Sequence, residues 1–230
     1  PKYLGAEDVA KTRAIVPAWA ASPIAPAPSR RLAPGAAATA DVALSPLQGS
    51  LEGRFRRGSL IHRLLQSLPE APEKERRKLA TDMLATEPGL SEKQRKEILS
   101  TTLKVLDHKD LSPVFAPNGV AEAAIVGWGP GLPVGVQISG RADRLIVTAD
   151  EAVIVDFKTN RPAPDRIEDA PESYIAQMAA YRAVLAARLP GRKVRCALVW
   201  TDGPSVMPIP DHMLDSALTS LRNPDKSAVG

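Results

Sequence analysis

The chain has 230 residues, a formal net charge of +4 and one cysteine. That length suits one domain with appendages or two small ones, and a single cysteine excludes an internal disulfide, a thiolate zinc site and an iron–sulfur cluster. No apolar run reaches the length of a membrane span, no signal peptide is recognisable, and the pI near 9.3 permits a nucleic-acid partner without demonstrating one. The expectation is a soluble, cytoplasmic protein, and the Pro-Lys start without a Met suggests a piece of a longer one.

Residues 1–48 are dominated by Ala, Pro and Ser, with SPIAPAPSRRLAPGAAATA at their centre and no sustained apolar period, which predicts an extended tether. Its short apolar piece, residues 15–19, is a candidate docking point. A domain over 49–223 follows, and 224–230 reads as a frayed tail. Residues 51–68 predict a helix with Ile61, Leu64, Leu65 and Leu68 on its buried face and a basic remainder from Arg54, Arg56, Arg57 and Arg63. His62 borders the buried face. Gly58 lies one turn earlier, where the missing side chain lets another group approach the imidazole. A lone histidine in such a place is either a solvated or core-satisfied side chain or a ligand.

A second helix is expected from 73 to 86, and Ser91 with Gln94 forms a capping box that opens a third, to 106, with Ile98, Leu99, Leu103 and Leu106 as its stripe. Both read as scaffold, their charges as a solvated face. Residues 120–128 and 134–142 read as strands joined by a Gly-Pro-Gly-Leu-Pro turn. Glu122 lies on the first of them. An unpaired buried carboxylate is costly, so it either reaches solvent or helps a cluster of carboxylates and metal.

Runs rich in Val, Ile and Leu at 141–148 and 152–158, separated by Ala-Asp-Glu, predict a β-hairpin. Alternation puts Ile154, Asp156 and Lys158 on one face of its second strand and Val153, Val155 and Phe157 on the other. Residues 152–155 are apolar without alternation, as in a strand covered on both sides, so Asp156 and Lys158 emerge where a buried strand ends. The hairpin can bring the Asp143 carboxylate beside that of Asp156. Two close carboxylates repel unless a proton or cation intervenes, and Mg²⁺ favours one or two carboxylates with waters and phosphate oxygens. The pattern points to a metal site for phosphodiester hydrolysis. A surface Asp–Lys ion pair has the same local signature. So does a Walker B strand, but the chain has no GxxxxGK[ST] to cradle phosphates.

After a polar, Pro-rich loop at 160–171, a helix over 172–189 carries Tyr174, Gln177, Met178 and Tyr181 on one face. That face is open to two readings, amphipathic packing with polar tips at its rim or part of a site. Residues 194–201 predict a strand in which Cys196 is a small buried hydrophobe, 205–209 a short edge strand, and 211–222 a closing helix. This order predicts an α/β fold, a mixed sheet from 120–128, 134–148, 151–159 and 194–201 flanked by the 51–68 and 172–189 helices. A ligand site belongs at the strand ends.

Four blocks recur in order: Gly-xxx-His-x-x-Leu over Gly58 to Leu65, Gly-Arg-Ala-Asp-Arg-Leu at Gly140 to Leu145, Asp-Phe-Lys-Thr-Asn-Arg-Pro at Asp156 to Pro162, and Tyr-xx-Gln-xxx-Tyr at Tyr174 to Tyr181. Over 51–222 the chain thereby resembles the AddA-type C-terminal nuclease domains in the RecB-like branch of the PD-(D/E)XK nucleases. The resemblance implies a restriction-endonuclease-like core. It implies that His62, Asp143, Asp156 and the Phe157 carbonyl bind metal, that Lys158 serves the attacking water, and that Gln177 and Tyr181 complete the site and hold DNA. The implied ion is Mg²⁺, with Mn²⁺ as a substitute. Two departures are Phe157, where Tyr is frequent, and Ala142, where the motif's Pro would precede Asp143.

Arg57, Arg144, Arg161 and Tyr174 are candidate contacts to a single DNA strand. The resemblance further implies a parent chain with an ATP-driven helicase motor, to which any ATP belongs, and an AddB-like second subunit, together processing DNA double-strand ends for recombinational repair. The rival reading is a nuclease-like module that only binds DNA or docks a partner subunit. Such a module has no reason to keep His62, Asp143, Asp156 and Lys158 together.

Overall fold

In the computed structural model, residues 30–34 and 51–222 are described. Most of the Pro/Ala-rich stretch, with residues 15–19, and the tail from 223 lie outside them. The apolar, β-branched runs pair into a six-stranded mixed sheet. Strand β2 (Gly119–Gly127) runs antiparallel to the long strand β3 (Val136–Val147), from Gly119↔Ile146 to Gly127↔Ile138. Strand β4 (Glu151–Lys158) is antiparallel to β3 only from Arg144↔Val155 to Val147↔Ala152. It then pairs in parallel along its whole length with β5 (Lys193–Trp200), which β6 (Ser205–Pro208) flanks antiparallel.

The remaining strand, β1 (Arg30–Leu32), comes from the stretch expected as a tether and pairs in parallel with Val136–Ile138. Ile138 is partnered by Gly127 on one side and Leu32 on the other. β1 and β4 therefore share one edge of β3, and on that edge residues 139–143, which lie between them, have no ladder partner among the described residues. The sheet has a notch there.

Each face of the sheet carries its own core. On one, α4 (Glu172–Arg188) and α5 (Asp211–Arg222) pack on Ile125, Ile138, Ala142, Ile154 and Leu198. On the other, α1 (Leu51–Ser67), α2 (Glu73–Ala85) and α3 (Glu92–Leu106) pack on Ile146, Val155, Phe157 and Val199. Covering on both sides is what the unalternating 152–155 run demanded. Ile61, Leu64, Leu65 and Leu68 are at most 1% exposed, and burial of each contributes about 1.5–3 kcal/mol. The capping box opens α3 as expected: Gln94 N donates to Ser91 Oγ at 3.3 Å and Ser91 N to Gln94 Oε1 at 2.8 Å. No helix among the described residues is long and apolar enough to cross a membrane.

Alternation along β3 is not kept throughout. Ala142 faces the α4 core, yet Arg144 turns to the other side, where its Nε donates to the Val114 carbonyl at 3.2 Å and its guanidinium lies over the Phe115 ring. The break falls at Asp143. Across from it Glu122 has φ 51°, a region rarely used by residues other than Gly, and the ladder passes from Ala121↔Arg144 to Ala123↔Ala142 without pairing the two acids.

Candidate active site

Asp156 and Lys158 leave the end of β4 on the same face, as alternation requires, and the Lys158 Nζ lies 2.8 Å from Asp156 Oδ2. Both side chains are almost fully buried, Lys158 at 10% exposure and Asp156 at 8%. This excludes the surface ion pair. The ammonium also donates to Gln177 Oε1 at 3.3 Å and sits 3.7 Å above the centre of the Tyr174 ring. Gln177 Nε2 donates in turn to the Tyr181 hydroxyl at 3.4 Å, and the Tyr174 hydroxyl donates to Asn160 Oδ1 at 3.0 Å. The polar face of α4 is thus turned inward onto the end of β4, and is not a rim. Tyr181 reaches across to β3, where a Cβ on Gly140 would stand 2.2 Å from its oxygen. Only glycine fits there unless the ring moves.

Asp143 enters from the notch. Its Oδ2 accepts from the Phe157 backbone N–H at 2.6 Å, a donor beyond the end of the β3–β4 ladder, and its Oδ1 lies 3.0 Å from His62 Nδ1. The His62 ring also stands edge-on to Phe157, 6.0 Å between centroids. Residues from α1, β3, β4 and α4 therefore converge, with His62 reaching in from one side of the sheet and Gln177 and Tyr181 from the other. The notch lets them meet.

Burial and charge set the protonation of this cluster. Burial pushes the Asp156 carboxyl above its ordinary range, Lys158 opposes that shift, and the nearby Asp143 charge reinforces it. For His62, burial works to lower the pKa, but the Asp143 carboxylate outweighs it and the net direction is up. Tyr181 is raised by burial, against the Gln177 hydrogen bond. Cys196 is pushed up to about 12 by burial and is an inert core thiol, as expected.

Several expectations are corrected. Gly58 does make room for a neighbour, but the group it admits is Thr159 Oγ1, 2.9 Å from where a Cβ would be, and not a partner of the imidazole. Glu122 takes the solvent option: 30% exposed, it pairs with Arg141 at 3.6 Å. Arg144 and Tyr174, read as DNA contacts, are each 3% exposed and face the interior, so neither presents a surface to a nucleic acid. Arg57 is held by Glu97 through Nε at 3.0 Å and Nη2 at 2.8 Å, with Nη1 3.4 Å from the Thr159 carbonyl. Arg161 pairs with the same Glu97 and with Asp202 at 3.1 Å. Arg56 and Arg63 both meet Glu87, so the described part of the basic face of α1 is largely neutralised.

Glu97 is the residue that sequence reasoning missed. Burial would raise its pKa, yet the hydrogen bonds and charges of Arg57 and Arg161 lower it to about 2. Thr101 Oγ1 adds a hydrogen bond at 3.0 Å. Through this one carboxylate α3 ties α1 to the Thr159–Arg161 segment that follows Lys158. Nothing in the α3 stripe marks it, because its partners lie far away in sequence.

A metal fits the chemistry of these donors. Two carboxylates, an imidazole and a backbone carbonyl suit a hard divalent ion with room left for water. The present arrangement satisfies the carboxylates internally, through His62, Phe157 N–H and Lys158. Among the described residues no three His, Cys, Asp or Glu side chains stand gathered as a metal-holding group. The Asp143 carboxylate nonetheless meets the Phe157 N–H, one residue past Asp156, which brings the two acids to the same strand end.

No curated protein matches the chain. Of solved structures, the crystal structure of SSO0001 is similar at 15% identity, over 75% of this chain and 85% of that one, with a TM-score of 0.31, too distant a likeness to bear on function. A profile describing the PD-(D/E)XK nuclease superfamily matches residues 38–211. That span contains residues 139–143 and every side chain converging on them, while β1, which borders the notch, lies before it; with an α/β core whose strand end carries Asp156 and Lys158 beside Asp143, the chain belongs to the PD-(D/E)XK nuclease superfamily.

Proposed function

We propose that this chain is the Mg²⁺-dependent deoxyribonuclease domain of an AddA-type helicase–nuclease, acting on a DNA strand delivered by a motor in the parent chain. The observation that carries a hydrolytic reading is the buried Lys158–Asp156 pair with Asp143 beside it. Withdrawing an ammonium and a carboxylate from water costs several kcal/mol per ion before their attraction offsets it, about 2 to 5 kcal/mol being lost if one partner is removed. A module that only binds DNA gains nothing from that expense. The four motif blocks support the AddA-type assignment, with 49–223 as the nuclease unit, a cytoplasmic setting and an AddB-like partner subunit.

Asp143, Asp156, the Phe157 carbonyl and His62 are the groups that would hold the ion. When bound, it supplies a polarised phosphate oxygen and a water of lowered pKa, with Mn²⁺ able to substitute. His62 fixes the orientation of the Asp143 carboxylate through Nδ1, and the Phe157 N–H fixes its other oxygen. Lys158 presents an ammonium at the reacting centre, where it orients the water and offsets negative charge growing on the phosphate. Gln177 takes one ammonium hydrogen bond and passes its orientation on to Tyr181. Arg161, 40% exposed, is the remaining candidate for a phosphate contact on this side.

Substrate class is tested by offering single-stranded DNA, duplex DNA with free ends and RNA to the purified chain with Mg²⁺, with and without an AddB-like partner. The proposal expects degradation of single-stranded DNA, enhanced by the partner. Degradation of RNA alone, or none of DNA under any of these conditions, would overturn it.

A further inference from the structure

Resting on that nuclease reading, the geometry points to Tyr174 as a positioning residue that holds the Lys158 ammonium in place when Asp156 is given up to a cation. The ammonium has three neighbours: Asp156 Oδ2 at 2.8 Å, Gln177 Oε1 at 3.3 Å and the Tyr174 ring at 3.7 Å from its centre. The first is also a proposed metal ligand. A divalent ion on Asp156 and the ammonium both seek the same carboxylate, so the lysine needs other partners that stay put. Gln177 provides one hydrogen bond. The ring provides an attraction without a hydrogen-bond direction, which leaves the ammonium free to point its protons at water.

Tyr174 is built for that role. It is 3% exposed, packs on Trp200 at 6.3 Å between centroids, and is anchored by its hydroxyl to Asn160, two residues past Lys158. The loop that follows the lysine and the ring beneath the lysine are thus tied to each other. A buried cation over an aromatic face is worth more than an exposed one, because water does not compete.

The test compares wild type, Tyr174→Leu and Tyr174→Phe, each with and without Lys158→Ala, by calorimetric titration with Mn²⁺ and by kcat and KM on single-stranded DNA. Without the ring the ammonium falls back on Asp156. Tyr174→Leu should therefore weaken Mn²⁺ binding and lower kcat by roughly five- to thirtyfold, with KM nearly unchanged. Tyr174→Phe, which keeps the ring, should retain most of both. In the Lys158→Ala background Tyr174→Leu should leave Mn²⁺ affinity unchanged, since the group it positions is gone. Equal loss of Mn²⁺ affinity with and without Lys158, or no loss in either, would overturn the inference. Wild type that binds Mn²⁺ yet cleaves no DNA would sink the nuclease reading and leave the titration to decide the role of Tyr174; wild type that binds no Mn²⁺ would sink both.

Discussion

Removing Asp156 and removing Lys158 change the same site in opposite electrostatic directions. Asp156→Ala deletes a proposed ligand and leaves the ammonium without its carboxylate, so Mn²⁺ affinity should fall and DNA cleavage should vanish while DNA binding persists. Lys158→Ala should also abolish cleavage, but calorimetry should show Mn²⁺ binding kept or improved, because a competing cation next to the carboxylates is lost. Gly140→Ala acts by shape alone. Its methyl group would meet the Tyr181 oxygen at 2.2 Å, and moving a ring that is 1% exposed should cost about 1–3 kcal/mol in a urea titration and reduce cleavage with it. Alternation made the Asp156–Lys158 pair legible in the sequence, since it follows from a regular strand. Arg144 was misplaced for the complementary reason: the alternation breaks at Asp143, and a break leaves no local signature beyond an acid across the ladder with positive φ.

Between elements, the Glu97 carboxylate ties α3 to α1 and to the segment after Lys158. Its pKa is depressed in the folded chain, to about 2 from the usual 4.5, because Arg57 and Arg161 together outweigh burial. The stabilisation is therefore fully present above pH 4.5 and is lost as pH falls toward about 2. Urea unfolding of wild type and Glu97→Gln across that window should show two stabilities that differ at neutral pH and converge in acid. Leu65→Ala, at a position with 0% exposure, should cost about 2–5 kcal/mol and loosen α1, which carries His62. Helix positions were readable because apolar period and capping chemistry are local. The inward turn of Tyr174 and Gln177 was left open because an amide and two phenols on an apolar stripe fit either a rim or a buried site, and only the position of β4 decides.

At the scale of the whole molecule, two separate cores clamp one sheet, and the site lies where that sheet is incomplete. β3 exchanges one neighbour for another along a single edge, from Leu32 to Val155, and the gap between them is where Asp143 turns to Phe157 and His62. The layered α/β order was legible from the succession of helices, hairpin, helix and strand. The notch was not, because it depends on a three-residue strand inside a Pro/Ala-rich stretch whose composition predicts an extended chain and nothing about what that chain pairs with. These converging groups are expected to hydrolyse a phosphodiester. The most direct measurement is digestion of single-stranded DNA in Mg²⁺ or Mn²⁺, with and without the proposed AddB-like subunit, by wild type and Asp156→Ala side by side. Wild type should degrade the strand, the variant should not, and chelation with EDTA should bring the two together. Equal rates in the presence of metal would contradict that expectation.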